Sequence, residues 1–304
     1  MRSSAPPLGG GSSASASSGG AIPLSATAPR GGGGANSTEG TSGVAEVDRL
    51  IARVRGEMSL LLATSSPTTK TIAVVLGVSY VLNFIAPWAA DYLALVPERT
   101  LPCVWNIVTA GYYEMNIVGA AVDMLGVMYL GRLVEPIWGA AEFVHFVVVV
   151  NLCVGACTFV TMYVLYLVTR SQFYLFAKFS GFHGILAALM VALRQLLPEE
   201  RVPVPGPLGA LVRIRNKHLP GLYCTATAAL CVVSGAEHHH IGLYLFVAFG
   251  ALAGWCYLRY FQSHGEEGRP KGDSSEEFAF AAQFPPPLQP LLRRLTDPCH
   301  ALFC

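Results

Sequence analysis

Four polar side chains interrupt otherwise apolar stretches and are the first candidates for chemistry: Asp123, His145, Asn151 and His183. A carboxylate among apolar residues is costly to leave unpaired. Asp123 therefore reads either as a hydrogen bond between helices or as a proton or ion site. His145 lies near one end of its stretch and reads as a packed imidazole rather than a ligand. His183 stands at the mouth of the apolar run Ser180–Leu193, and nucleophilic chemistry there would need a hydroxyl beside a base. The nearest hydroxyl, Ser180, is almost one helical turn earlier and on a different face. Glu237-His238-His239-His240 sets three imidazoles side by side. Neighbours on a helix point about 100° apart, so the three cannot converge on one ion. No metal and no cofactor is expected. The eight cysteines are scattered, and Cys153, Cys157, Cys224, Cys231 and Cys256 read as small buried hydrophobes.

The elements that position these residues are membrane elements. Of 304 residues 53% are hydrophobic and 13% charged, against about 25% charged in a soluble domain. The net charge of +1 and the absence of a basic, aromatic-rich patch exclude nucleic acid as a partner. Residues 1–46 are rich in Gly, Ser, Ala and Pro and cannot bury enough surface to order themselves. They lack an apolar core segment for a secretory signal, and read as a flexible cytosolic tail or a transit peptide. Residues 47–66 place Val47, Leu50, Ile51, Val54, Met58, Leu61 and Leu62 at helical spacing among charged residues. This is an amphipathic helix, lying on a membrane or packed on the protein. Residues 67–262 hold six apolar runs read as spans: 71–90, 116–134, 143–167, 181–197, 219–233 and 241–260. Asn83, in the first, should face other helices. Residues 263–304 form a cytosolic tail.

The fourth run organises the rest. Gly184, Ala188 and Ala192 recur four apart and share one helix face. Gly250 and Gly254 make a matching small-residue face in the sixth run. Both faces should meet, with the fourth helix enclosed. Arg53, Arg55, Lys70, Arg132, Arg194, Arg201, Arg213, Arg215, Lys217, Arg259, Arg269 and Lys271 fall on one side of the six spans, against Arg99, Arg170 and Lys178 on the other. This excess places both termini in the cytosol. In the tail, Phe278 and Phe280 are spaced by two. Phe284 and Pro285 lead into a proline run that keeps the backbone extended. These residues either fold back on the helix ends or dock on a partner.

Gly181-Phe182-His183-Gly184 resembles the Gly-x-Ser-Gly motif of the rhomboid intramembrane proteases, with His183 at the serine position. Gly131-Arg132-Leu133-Val134-Glu135-Pro136-Ile137-Trp138-Gly139 is similar to the Gly-Arg-x-x-Glu-x-x-x-Gly segment of rhomboid-like proteins. Alignment on Gly131 sets Asp123 and Gly119 at the asparagine and histidine positions that stabilise the oxyanion in active rhomboids. A carboxylate there would repel the developing charge. The resemblance thus implies an all-α membrane protein, a six-helix rhomboid-like bundle with a disordered N-terminal tail and no protease activity. Glu135–Glu142, Phe182-His183-Gly184, Trp255–Gln262 and Glu277–Pro285 resemble the transmembrane protein 115 family over residues 70–292. That resemblance implies a Golgi membrane protein linked to retrograde transport to the endoplasmic reticulum. Its expected partners are the lipid bilayer and Golgi tethering or coat components, including the oligomeric Golgi complex; a homo-oligomer is also allowed. Family members carry a longer cytosolic tail.

Three classes remain open: a Golgi scaffold, an active intramembrane protease, and a quality-control factor or transporter with a polar cavity. The endoplasmic reticulum and the plastid are the alternative locations. If Asp123, His145, Asn151 and His183 converge on one water-filled path, transport gains. If they pair off between helices, scaffolding gains.

Overall fold

The structure, a computed structural model, describes residues 38–200, 215–233, 239–263, 271–283 and 290. Met1–Arg53 and Val54–Cys304 are separate compact units. Seven longer helices carry the described chain: α1 (Thr38–Thr64), α2 (Pro67–Ile85), α3 (Ile117–Trp138), α4 (Ala140–Thr169), α5 (His183–Leu196), α6 (Leu219–Val233) and α7 (His239–Cys256). No strand forms among the described residues; one isolated bridge joins Leu95 to Phe179.

Local chemistry sets the helix ends. The Ser66 hydroxyl caps α2 by accepting from the Thr69 amide, and Pro67 occupies the first turn, where its missing N–H costs nothing. The helix stops at Ile85 because Ala86 precedes Pro87 and is pushed out of the helical region. α2 thus starts and ends earlier than the expected 71–90. α3 runs through Pro136 to Trp138, past the expected end at 134. Gly139 stops it, at φ +84°, where a side chain would be strained. α4 is longer than expected at 30 residues. α1 begins at Thr38, within the stretch expected to be disordered, and the rest of that stretch lies outside the described residues. Val54, Met58, Leu60 and Leu62 on α1 are exposed.

Among the described residues, four helices are long and apolar enough to cross a membrane, against the six expected: Pro67–Ile85, Ile117–Trp138, Ala140–Thr169 and Ile241–Phe261. The last joins α7 to the five-residue π-helical turn Tyr257–Phe261. α5 has only 14 residues. At about 1.5 Å per residue it rises about 21 Å, short of the ~30 Å hydrocarbon core. Gly181 and Phe182 lie outside the helix, since Gly181 sits at φ +129°. α6, with 15 residues, is similarly short.

A short helix at membrane depth is tolerated where protein covers it. α5 buries Ile185, Leu186, Ala187, Ala188, Leu189, Val191, Ala192 and Leu193. Its small face meets α7 at backbone range. A Cβ on Gly250 would lie 1.9 Å from the Gly184 carbonyl oxygen. One on Gly184 would lie 2.7 Å from the Phe246 carbonyl oxygen, and one on Gly254 2.7 Å from the Ala188 Cβ. No side chain fits in these gaps.

The connection between α2 and α3 is anchored on α4. Gly155 leaves room for the Ile107 carbonyl, where a Cβ would sit at 2.2 Å, and Gly111 leaves room for the Asn151 amide. Asn151 donates to the Val108 carbonyl oxygen at 2.6 Å. Cys153 and Cys157 are exposed on α4 rather than buried. The reason is register: Asn151, Val154, Gly155 and Thr158 take the inward face of α4, leaving 153 and 157 outside.

Because Gly250 meets backbone and not a movable side chain, Gly250→Leu is expected to lower the unfolding midpoint of the detergent-purified protein, at a cost of about 1–3 kcal/mol or more. Gly221→Leu, at a position with nothing within 4 Å, is expected to leave it unchanged. Equal midpoints for wild type and Gly250→Leu would remove this contact from the account.

Candidate functional site at the mouth of α5

The residues before α5 approach it outside the helix and are held by hydrogen bonds to neighbouring segments. Phe179 and Leu95 exchange two backbone hydrogen bonds, at 2.8 and 2.9 Å, and the Gly181 amide donates to the Ala110 carbonyl oxygen at 2.9 Å. The Phe182 amide, the first orphan donor of the helix, donates to two carboxylates: Glu114 Oε1 at 2.8 Å and Asp123 Oδ2 at 3.1 Å. Anions are favoured at this end of a helix by its unsatisfied N–H groups and its dipole.

Asp123 arrives on α3 and is fully buried. Its second oxygen, Oδ1, lies 2.9 Å from His183 Nδ1. Glu114 arrives from the turn before α3 and is 2% exposed. Its amide donates to the Ser79 hydroxyl on α2 at 3.2 Å. Burial, with the adjoining Asp123 carboxylate, pushes the Glu114 carboxyl up to about 9, so it is held as the acid at neutral pH. Gly119 leaves room beside α3 for Glu114 and His183. A Cβ there would sit 3.2 Å from Glu114 Oε2 and 3.3 Å from the His183 ring.

Gly119, Asp123 and His183 thus stand together at one place, with Gly181 beside them; a Cβ on Gly181 would lie 2.7 Å from the His183 ring. Sequence reasoning missed Glu114, which completes the cluster from a loop. Its only signal was being the one acid between Glu98 and Asp123. The other polar residues do not join it. Asn83 donates to the Met115 carbonyl oxygen at 3.3 Å and accepts from the Tyr113 hydroxyl at 3.0 Å. His145 lies 2.9 Å from the Tyr257 hydroxyl, which itself donates to Glu142 at 2.7 Å. His238 lies outside the described residues, as do the side chains of His239 and His240.

The Gly131–Gly139 segment works as a joint between helices. Glu135 accepts hydrogen bonds from the Ser66 and Thr69 hydroxyls, the Thr69 bond at 2.7 Å, and so ties α3 to the start of α2. Gly131 lets the Thr69 side chain approach, at 2.4 Å from where a Cβ would be. Arg132 lies over the Tyr129 ring at 5.1 Å. Trp138 packs edge-on against Phe146 at 5.2 Å, and Pro136 sits in the last turn.

The tail requires a correction. Phe278 is buried and belongs to the main core, instead of projecting toward a partner. Glu276–Phe278 and Phe280–Gln283 are 3-10 turns, not an extended segment. Trp255 explains why. Its indole N–H donates to the Phe278 carbonyl oxygen at 2.9 Å, and its ring meets Phe280 edge-on at 5.1 Å. Arg194 donates to the Ala282 carbonyl oxygen, and Arg259 to those of Asp273 and Ser275. Burying the Phe278 ring favours this folded-back arrangement over an extended one. Phe284 and Pro285 lie outside the described residues.

Apolar helices enclosing a short central helix, with a polar cluster at its mouth, define a multi-spanning membrane protein. Residues 70–304 match the family described as "Eukaryotic integral membrane protein (DUF1751)". Rhomboid-like protein 19 of Arabidopsis thaliana is 36% identical over 236 residues, 77% of this chain and 74% of that protein. Transmembrane protein 115 of Mus musculus is 30% identical over 263 residues, 84% of this chain and 70% of that protein. The Saccharomyces cerevisiae homolog of Transmembrane protein 115 is 24% identical over 220 residues, 66% of this chain and 62% of that protein. The chain belongs to the eukaryotic integral membrane protein family that includes Transmembrane protein 115, and is a rhomboid-like membrane protein.

Phe278→Ala empties a core position at the ends of α5 and α7. It is expected to destabilise the purified protein by about 3–5 kcal/mol, seen as a lower unfolding midpoint and faster proteolysis of the tail. Wild-type stability and proteolysis in that variant would return Phe278 to the list of exposed anchors.

Proposed function

We propose that this protein is a catalytically inactive rhomboid-like protein of the Golgi membrane. It acts in vesicle-mediated retrograde transport from Golgi to endoplasmic reticulum, as a scaffold for tethering factors. The observation carrying the inactive reading is the occupancy of the α5 mouth. His183, at the position that resembles the rhomboid serine, has no hydroxyl and is bonded to Asp123. The Phe182 amide, a donor that an oxyanion would need, is already taken by Glu114 and Asp123. Two carboxyl groups facing that donor oppose a developing negative charge.

The scaffold reading is favoured over transport by the way polar residues pair off. Asn83 and Asn151 bond the connection between α2 and α3, His145 bonds Tyr257, and Asp123 bonds the mouth of α5. The trafficking assignment, the Golgi location and the tethering partners rest on the resemblance to the transmembrane protein 115 family, and the cytosolic termini on the excess of lysine and arginine on one side of the spans. With Phe278 folded into the core, the partner surface moves to other cytosolic segments, Phe284 and Pro285 among the candidates.

Two measurements test this. A fluorophosphonate probe is expected to label no serine of the membrane-spanning region; labelling abolished by mutating one such serine would overturn inactivity. An internally tagged full-length chain is expected to co-localise with Golgi markers, and its removal to slow the return of Golgi enzymes to the endoplasmic reticulum. A steady location elsewhere, with normal return, would overturn the trafficking role.

A further inference from the structure

The cluster at the α5 mouth gathers two buried carboxyl groups and one imidazole. Glu114 and Asp123 are both more than nine-tenths buried. The arginine and lysine ion pairs on Asp91, Glu98 and Glu199 lie elsewhere in the fold. At the cluster itself the imidazole of His183 is bonded to Asp123. Buried carboxylates without a cation are neutralised by a proton or by a metal ion.

Geometry allows the second. Glu114, Asp123 and His183 each offer a donor atom, and the three atoms lie within 4.8 Å of one another. Asp123 Oδ1 and His183 Nδ1 are 2.9 Å apart. Donors bound at about 2.0–2.2 Å around a tetrahedral ion stand roughly 3.3–3.6 Å apart, so small side-chain adjustments suffice. The three come from three parts of the chain: the turn before α3, α3 itself, and the first turn of α5. Gly119 keeps the space beside Glu114 and His183 clear of a side chain. Two carboxylates and one imidazole form a mixed oxygen and nitrogen set. Imidazole suits transition metals, while magnesium and calcium take oxygen donors.

We propose that Glu114, Asp123 and His183 bind a divalent transition-metal ion of the Zn²⁺ class, which clips the first connection and α3 to the mouth of α5. Three protein ligands leave one tetrahedral position for water or for a backbone oxygen. Binding displaces the proton of Glu114, since the ligating form is the carboxylate. This clip is a structural site and stands independently of the trafficking reading: a protein with the clip and no Golgi role, or the reverse, is a distinguishable result.

The test uses the full-length chain in detergent, with His238, His239 and His240 changed to Ala so that the histidine run contributes nothing. After loading with Zn²⁺ and desalting, elemental analysis is expected to find about one Zn²⁺ per chain, with a raised unfolding midpoint. Co²⁺ loading is expected to give visible absorption bands of a tetrahedral or five-coordinate site. Asp123→Asn, Glu114→Gln and His183→Gln are each expected to lower retained Zn²⁺ at least tenfold and to abolish the midpoint shift. Should a variant fail to fold, the parent chain decides alone. A parent that retains no Zn²⁺ and shows neither shift nor bands overturns the proposal. So does Zn²⁺ retention that survives all three substitutions.

Discussion

The bundle depends on the backbone-to-backbone approach of α5 and α7. Gly250 lies so near the Gly184 carbonyl that even a methyl group would collide with it. Between helices in lipid there is little hydrophobic drive, and close packing supplies the attraction instead. That contact fixes where α5 sits. Its shortness then imposes the rest: a helix that cannot reach both surfaces must have its loose end covered by protein and its backbone groups satisfied. The Leu95–Phe179 bridge, the Ala110 carbonyl and the two carboxylates at Phe182 meet that demand.

The same demand explains the polar residues. Asn151 and Asn83 hold the connection between α2 and α3, and Glu135 closes the joint between α2 and α3. Each spends its hydrogen bonds on fastening one element to another. An active site needs groups that are positioned but unspent, ready for a substrate. At the α5 mouth the donors are engaged, which fits the proposed inactive scaffold. At the other end, Phe278 and its neighbours cap α5 and α7, so the tail contributes to the core.

Some of this was legible in the sequence. Glycine and alanine at spacing four are readable because the helix period alone puts them on one face, and Gly184, Ala188, Gly250 and Gly254 do sit at the contact. The shortness of α5 was not readable. Its apolar run continues unbroken into Gly181 and Phe182, and only the glycine backbone at φ +129° marks the break. Glu114 was missed because it meets Phe182 across 68 positions, through a loop whose path no periodicity records. Phe278 was misplaced for a related reason. Spacing by two predicts an extended tail, but the partner that overrides it, Trp255, comes from tertiary packing. Cys153 and Cys157 look like core residues by type, and only the register set by Asn151 and Gly155 turns them outward.

The α5 mouth is a lock between helices in which Asp123 and His183 act as a pair. A double-mutant cycle on Asp123→Asn and His183→Asn, read by thermal unfolding of the purified protein, tests it most directly. The expected coupling free energy is about 1 kcal/mol or more, within the range for residues in direct contact. Additivity to within about 0.3–0.5 kcal/mol, the behaviour of independent sites, would contradict it.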